Sequence, residues 1–218
     1  VSFEDLATLG VSAIERIEFE GSPARRAFIL DASGGRVLDG DFSNYPEVTW
    51  ARDPANRDRI CVGPITLAEE GAQRVPWFTL ATPVYEVSVD GLHPRPPGKL
   101  NGVLLFKVDA SRFAGHYCAA IRSGRTGYCW VLSPEGVFLY HPERDFIGQD
   151  AFTARGRRNP LISFAKINEI QKAKMLAGEE GTSRYTSGWH RGVIGEMTKF
   201  VAYSHAQATP GGSRIWPE

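Results

Sequence analysis

The chain has 218 residues, of which 42% are apolar, so it is long enough for one large or two small globular domains. Lysine plus arginine equals aspartate plus glutamate at 25 each, and this balance gives no support for nucleic acid or an anionic membrane surface as a partner. No apolar run approaches the ~20 residues that span a bilayer, and no signal peptide opens the sequence. Because it begins in a helix-like segment at Val1 and ends in the strand-like "SRIWPE", we expect a piece of a longer protein whose membrane anchors have been removed.

The three cysteines, Cys61, Cys118 and Cys129, occur without any Cys-x-x-Cys spacing. A zinc site is not predicted, because His116 and Cys118 would need two further ligands that the sequence does not offer. Two alternatives remain for the cysteines: three buried thiols, or one disulfide beside one free thiol. We predict no metal and no cofactor.

The first half predicts a hairpin followed by three strands. The segment "AFILDASGGRVL" (27–38) has two apolar runs around a turn in which Gly34 or Gly35 supplies a positive φ. An irregular polar and aromatic region follows, and strands are then predicted at 59–67, 77–89 and 100–109. Pro83 indicates an edge position or a bulge in the second of these strands.

The second half repeats this plan after a short connecting helix. Asp109 suits a helix cap, and Phe113, Tyr117 and Ile121 recur at helical spacing. The next elements predicted are a hairpin at 129–139 with Gly136 in its turn, a helix at 160–177 with Gly178 as its C-cap, and strands at 181–187 and 197–207. Antiparallel strands with helices and loops to one side define the α+β class.

Several motifs of the second half together resemble a known family. "GRTGYCWVLSPEGVFLYHPERDFIGQD" holds a Gly-Tyr strand, a Ser turn with Gly, a strand ending in His-Pro and an Ile-Gly soon after; "LAGEEGTSRY" and "KFVAYSH" follow. The pattern resembles the membrane-proximal module of a double Cache sensor region, the tandem PAS-like region of bacterial histidine kinases and related receptors. "FILDASGGRVL", "ATPVY" and "GVLLFKVD" resemble the membrane-distal module less sharply. The chain lacks the long N-terminal helix and the last strand of that pattern.

The resemblance implies two tandem PAS-like modules, each an antiparallel sheet flanked by helices and loops. Residues 1–110 would be the membrane-distal module with the ligand site, and residues 111–218 the linker and the membrane-proximal module. It implies a periplasmic or extracellular input domain that binds a small molecule, connects to the membrane through flanking helices and belongs to a sensor histidine kinase, with a homodimer in the full-length receptor. A chemoreceptor or a diguanylate cyclase is the alternative within this class.

Catalytic motifs do not compete with this interpretation. The sequence has no GxSxG elbow, HExxH pair, phosphate loop or GxGxxG turn. His141 and Pro142 close a strand, so His141 is interpreted as a structural turn residue whose acidic neighbours are solvated. We therefore predict a fragment without catalytic residues; a soluble periplasmic binding protein or a hydrolytic enzyme is the alternative from another class.

The candidate ligand site lies in the first half, between one face of the sheet and the irregular segment 43–64 that crosses it. That segment contributes Tyr45, Trp50, Arg52, Arg57 and Arg59, which suit either an aromatic and basic pocket or an exposed loop. Alternation along "GVLLFKVD" places Lys107 on the same face as Val103 and Leu105. An ammonium group there needs a partner such as a ligand carboxylate, unless it reaches water at the strand end. Thr79 on the neighbouring strand completes the predicted set.

The resemblance adds an expectation about the charge of the ligand. Relatives that bind amino acids typically carry an Asp at the strand position of Lys107 and an Arg-x-Trp-Tyr signature in the crossing segment, whereas members that sense carboxylates carry a Lys there. This sequence has Lys107 and lacks the signature, which implies a small organic anion. In the second half, Tyr128, Trp130, Tyr140 and Tyr203 are interpreted as core residues.

Overall fold

The computed structural model describes residues 2–19, 26–71, 73–86 and 98–206, and the backbone of Gly212–Arg214. It confirms the α+β class, with a large antiparallel sheet and few helices. Two compact units form: one holds 1–68, 76–116 and 209–218, and the other holds 69–75 and 117–208. The first therefore also takes in the last segment of the chain, and the predicted modules 1–110 and 111–218, with their positions relative to a membrane, stay a prediction.

The first unit is built around an antiparallel sheet. Helix α1 (Phe3–Thr8) precedes it and begins with a capping box, in which Ser2 Oγ accepts from the backbone N–H of Asp5. The strands are β1 (Val11–Glu18), β2 (Arg26–Asp31), β3 (Gly34–Asp39), β4 (Ile60–Val62), β5 (Thr66–Glu70), β6 (Gln73–Tyr85) and β7 (Leu100–Asp109). Their order in the sheet is β4-β6-β7-β1-β2-β3, β5 pairs with β6, and a short strand at Gly212–Arg214 lies parallel to β4.

Local signals in the sequence explain two features of this sheet. β2 and β3 form the predicted hairpin, with Gly34 at a φ of +106° and the Asp31 carboxylate accepting from the backbone N–H of Ser33 at 2.9 Å. The register between β6 and β7 shifts between Val84 and Tyr85, which places a bulge close to the predicted position at Pro83.

One face of the sheet is covered by the segment between β3 and β4, as predicted. This segment contains helix α2 (Pro46–Ala51) and a 3₁₀ turn (Pro54–Asn56). Its residues Val48 and Ala51 are fully buried against the sheet. The buried core of this unit consists of Ile17, Ala27, Val48, Ala51, Cys61, Ala81, Val103 and Leu105.

The second unit contains two antiparallel ladders and a helical layer. Helix α3 (Ala110–Cys118) leads into it and is capped by Asp109, whose Oδ1 accepts from the backbone N–H of Ser111 at 2.8 Å, as predicted. The remaining elements are β8 (Val131–Leu132), β9 (Phe138–Tyr140), a 3₁₀ turn (Arg144–Phe146), α4 (Ala154–Arg158), α5 (Ala165–Ile170), a π-helical turn (Gln171–Met175), β10 (Gly181–His190) and β11 (Val193–Tyr203). β8 pairs with β9, and β10 pairs with β11.

The predicted helix at 160–177 is shorter in the structure. It begins at Ala165, and the backbone from Pro160 to Phe164 is not helical. Gly178 follows its last turn at a φ of +79°. Positions 87–89 and 207 of the predicted strands, and positions 215–218, lie outside the described residues. Within the part of the chain that the structure describes, no helix has the length and apolar character that a membrane span requires.

The core of the second unit is aromatic. Its buried residues are Phe138, Phe146, Ala151, Ala154, Phe164, Ile167, Ile170, Tyr185, Trp189 and Val201. Trp130 and Tyr203, which the sequence predicted as core residues, pack against this cluster. Close to the hairpin of β8 and β9, Cys118 and Cys129 are free thiols, and Cys118 lies near enough to raise the pKa of Cys129.

Candidate functional site

A cavity of about 220 Å³ opens on the covered face of the sheet in the first unit, beside the N-terminal end of α2. It is lined by Glu15, Tyr45, Glu47, Thr66, Trp77, Phe78, Thr79, Leu105 and Lys107. Three residues predicted from the sequence, Tyr45, Thr79 and Lys107, are therefore brought together here. Glu15, Glu47 and Trp77 join them without having been predicted.

The register of the strands explains why polar groups meet in this cavity. Ala13 and Thr79 lie on either side of Lys107, and Glu15 lies opposite Leu105. Residues directly opposite one another in an antiparallel sheet share a face, so Glu15 and Lys107 are diagonal neighbours. The buried side chains of α2 cover only the adjoining part of this face, and the polar part stays open.

Lys107 is exposed and uses an aromatic neighbour instead of an acidic one. Its Nζ atom lies 5.0 Å from the centroid of the Trp77 ring, within the range of a cation–π interaction. Among the residues that the structure describes, Lys107 makes no ion pair, and neither Glu15 nor Glu47 makes one. All three charged groups are consequently available to a ligand.

The environment of Glu15 is unfavourable for its charge. Burial raises the pKa of Glu15, and the positive charges of Lys107 and Arg36 only partly oppose this effect. The nearby Glu47 carboxylate raises it further. A positively charged group placed between the two carboxylates would relieve both the burial and the repulsion.

Four predicted site residues lie away from the cavity. Trp50 packs against the apolar core, the Arg52 guanidinium lies 4.8 Å from the Phe19 ring centroid, and the Arg57 guanidinium lies 4.5 Å from the Tyr85 ring centroid. Arg59 is exposed, and its carbonyl accepts from Thr82 Oγ1 at 3.1 Å. The chain runs from α2 towards the far ends of β1 and β6, and this path carries the arginines away from Lys107. The expected convergence of positive charge is thus replaced by a cavity with two carboxylates and one ammonium.

The residues that sequence reasoning missed had a weak signal. Glu15 interrupts the buried face of β1 between Ala13 and Ile17, and the sequence of the N-terminal segment predicts only a helix. Glu47 becomes a cavity residue only because α2 begins at Pro46. A single charged residue on the inward face of a strand, as at Lys107, is the signal that would have identified Glu15.

The second unit also has a buried polar residue, His141, which lies directly after strand β9 as the sequence predicted. The imidazole is 4% exposed, and its Nδ1 atom accepts from the backbone N–H of Glu143 at 3.0 Å. Burial, with the positive charges of Arg155, Lys199 and Arg158 nearby, lowers the pKa of His141 to about 3. His141 is therefore a neutral hydrogen-bond acceptor behind the strand end. In the described ranges, no group of three or more His, Cys, Asp or Glu residues is arranged to hold a metal.

Comparison with known proteins gives the class of this protein. The chain matches the family model described as Cache domain over residues 6–216, and therefore belongs to the Cache domain family. Domains of this kind are non-catalytic ligand-binding sensor modules of membrane receptors and lie outside the cytoplasm.

Solved structures with a similar fold include receptor domains at low sequence identity. The extracellular domain of the proposed histidine kinase mmHK1S-Z3 is 14% identical with a TM-score of 0.48, covering 89% of this chain and 68% of that chain. The periplasmic sensory domain of the Campylobacter jejuni chemoreceptor Tlp1 is 12% identical with a TM-score of 0.43, covering 94% and 79%. The ligand-binding domain of the Pseudomonas aeruginosa PAO1 amino acid chemoreceptor PctC, in complex with GABA, is 13% identical with a TM-score of 0.39, covering 91% and 78%. Among proteins with a curated description, none matches the chain.

Proposed function

We propose that this chain is the input domain of a bacterial transmembrane receptor, such as a sensor histidine kinase, and that it binds a small zwitterionic compound in the cavity of the first unit. The observation that carries the ligand class is the presence of Glu15, Glu47 and Lys107 in one cavity without ion pairs among the described residues. The ligand would carry both an amine and a carboxylate.

Each charged group of the cavity then has a role. Lys107 donates a charge-assisted hydrogen bond to the ligand carboxylate. Glu15 and Glu47 accept from the ligand ammonium, which offsets the burial of Glu15. Trp77 and Tyr45 form aromatic walls, so an apolar part of the ligand is shielded from water.

The size of the cavity limits the ligand. Its volume of about 220 Å³ lies below the roughly 300–1,000 Å³ of pockets for drug-sized molecules. A compound of amino-acid size is therefore expected. Binding that prefers one of two receptor conformations shifts their populations, and this is the physical form of the signal.

Calorimetric titration of the chain tests the ligand class. Each amino acid of a panel is compared with the acid that lacks its amine and with the amine that lacks its carboxylate. We expect zwitterions to bind more tightly than both partial compounds. Binding of an acid without an amine at equal or higher affinity would contradict the proposal and return the site to the anion prediction.

Three substitutions and a matched control test the residues. Lys107→Met, Glu15→Gln and Glu47→Gln should each weaken binding of the zwitterion by roughly ten- to hundred-fold, which corresponds to about 1.5–3 kcal/mol for a charge-assisted hydrogen bond. Arg59→Met also removes a charge, but from outside the cavity, and should bind as the wild type does. If Arg59→Met loses binding while Lys107→Met keeps it, the ligand sits elsewhere.

A further inference from the structure

A buried arginine in the second unit has no acidic partner among the described residues. Arg155, in α4, is 4% exposed, and its guanidinium carbon lies 5.0 Å from the Phe138 ring centroid and 5.4 Å from the Trp130 ring centroid. Its Nη1 atom donates to the Ala151 carbonyl at 3.1 Å and to Gln171 Oε1 at 2.8 Å. No carboxylate pairs with Arg155 among the residues that the structure describes.

The N–H groups of Arg155 that make no hydrogen bond within the described residues have a defined geometry. Nη1 donates to Ala151 and Gln171, and within the described part of the chain neither Nε nor Nη2 donates a hydrogen bond. The Nε and Nη2 groups point in parallel along one edge of the guanidinium. This edge matches the two oxygens of a carboxylate, whereas a single spherical ion fits only one direction.

The surroundings of Arg155 add positive charge and further donors. Lys199 on β11 lies 3.3 Å from the Tyr128 hydroxyl through its Nζ atom, and burial lowers the pKa of Lys199 to about 8, an effect to which the charge of Arg155 contributes. Gln171 is fully buried, and its Nε2 atom finds no acceptor among the described residues.

Negative charge nearby is already neutralised. Glu143 is the acidic residue whose charge acts on Lys199, and its carboxylate lies 2.6 Å from Arg158 Nη1. The buried Arg155 and the half-buried Lys199 thus leave an excess of positive charge among aromatic side chains. Burying an ion without a counter-charge is costly, and removing that cost is a reason for an anion to bind.

We propose that the second unit holds a separate site for a small monocarboxylate, seated on the Nε and Nη2 edge of Arg155 with Lys199 as a second positive charge. This goes beyond the proposed zwitterion site, which lies in the first unit and rests on other residues. Aromatic side chains wall the site, so a carboxylate with a short apolar tail is preferred.

The probes for this site are sodium acetate and sodium propionate, titrated into the chain by calorimetry. Sodium chloride at the same ionic strength and neutral acetamide are the comparison compounds. We expect acetate or propionate to bind and to raise the thermal midpoint, while chloride and acetamide do neither. Binding at pH 8 should also take up protons, because an anion raises the pKa of Lys199, and the measured heat should therefore depend on the ionisation enthalpy of the buffer.

Variants identify the site. Arg155→Met and Lys199→Met should each weaken acetate binding at least tenfold, and Arg155→Lys should also weaken it because the fork is lost. Lys172→Met removes an exposed charge elsewhere in the same unit, and Lys107→Met removes the ammonium group of the cavity in the first unit. Both variants should bind acetate as the wild type does.

Three results would overturn the proposal. The first is an equal effect of chloride and acetate, and the second is no binding of acetate at up to about a 100-fold molar excess over millimolar protein. The third is unchanged acetate affinity in Lys199→Met and Arg155→Lys. If Arg155→Met does not fold, these last two variants decide. The Lys107→Met control separates this proposal from the zwitterion proposal. If Lys107→Met alone loses acetate binding, acetate binds in the first unit.

Discussion

The imidazole of His141 shows how one residue of the described core couples stability to pH. Its ring centroid lies 4.7 Å from that of Phe146, 5.3 Å from that of Phe138 and 5.5 Å from that of Tyr128. Protonation would place a positive charge among these rings and beside Arg155. The folded chain therefore holds His141 neutral, while the unfolded chain titrates it at about 6.5.

The pH dependence of unfolding follows from this difference. Because the pKa of His141 is lowered to about 3 in the folded state, its contribution to stability is present above pH 6.5 and is lost as the pH falls towards 3. Between pH 6.5 and pH 5, wild type should lose roughly 1.5–2 kcal/mol more unfolding free energy than His141→Gln, measured by urea denaturation. Parallel curves for the two proteins would show that His141 is not held neutral.

Individual residues also show what the sequence predicted about the site. Alternation in a strand was sufficient to place Lys107 on one face with Val103 and Leu105, because β7 is regular there. The sequence predicted the arginines of the crossing segment in the cavity, but they lie outside it. Their positions depend on where α2 starts and where the chain leaves the sheet. Side chains in an irregular segment carry no periodicity, and only tertiary contacts decide where they point.

At the scale of elements, the pairing of β1 with β7 depends on a glycine. A Cβ atom on Gly102 would lie 2.3 Å from the carbonyl oxygen of Ile17, and a backbone atom cannot move aside as a flexible side chain does. Gly35, in the hairpin of β2 and β3, would place its Cβ in open space.

These two glycines make a matched pair of substitutions. Gly102→Ala should lower the unfolding free energy by about 1–3 kcal/mol, since it forces the two strands apart. Gly35→Ala should change it by less than about 0.5 kcal/mol. Chemical denaturation of the three proteins measures both effects, and equal stability of Gly102→Ala and wild type would show that the strands adjust without strain.

Elements were predicted best where a turn residue fixed them. Gly34 and Gly136, both at positive φ, mark the two hairpins that the sequence located, and Asp109 marks the start of α3. The helix at 160–177 was predicted too long because its apolar stripe continues through Leu161 and Phe164, which lie in the non-helical segment after Pro160. β1 was missed because its alternation is interrupted by Glu15, the same residue that lines the cavity.

At the scale of the whole molecule, the balanced charge conceals two different interiors. The formal net charge is +0, yet the cavity of the first unit has two carboxylates and one ammonium, and the second unit has the buried Arg155 and the half-buried Lys199. Composition therefore gave no support for polyanions as partners and contained no information about small ligands. Family membership, by contrast, was recognisable from short motifs, because the turn residues of a fold lie close together in sequence.

The proximity of Cys118 to Cys129 has a redox consequence outside the cytoplasm. Burial, together with the adjacent Cys118, raises the pKa of Cys129 to about 12, so the Cys129 thiol stays protonated until an oxidant acts. A thiol oxidase of an oxidising compartment would take two electrons and two protons and join the two sulfur atoms, and Cys61 would remain a buried thiol. Such a bond covalently fastens the end of the connecting helix to the β8 hairpin.

Export of the chain to an oxidising compartment tests this. Intact mass under non-reducing conditions should be lower by two hydrogen atoms, a single thiol should react after denaturation, and reduction should lower the unfolding free energy by about 2–3 kcal/mol. Cys129→Ser should show two reactive thiols and no dependence on reductant. Three reactive thiols in the exported wild type would mean that the pair remains reduced. With the bond present, the C-terminal end of α3 is held by a covalent link and cannot fray.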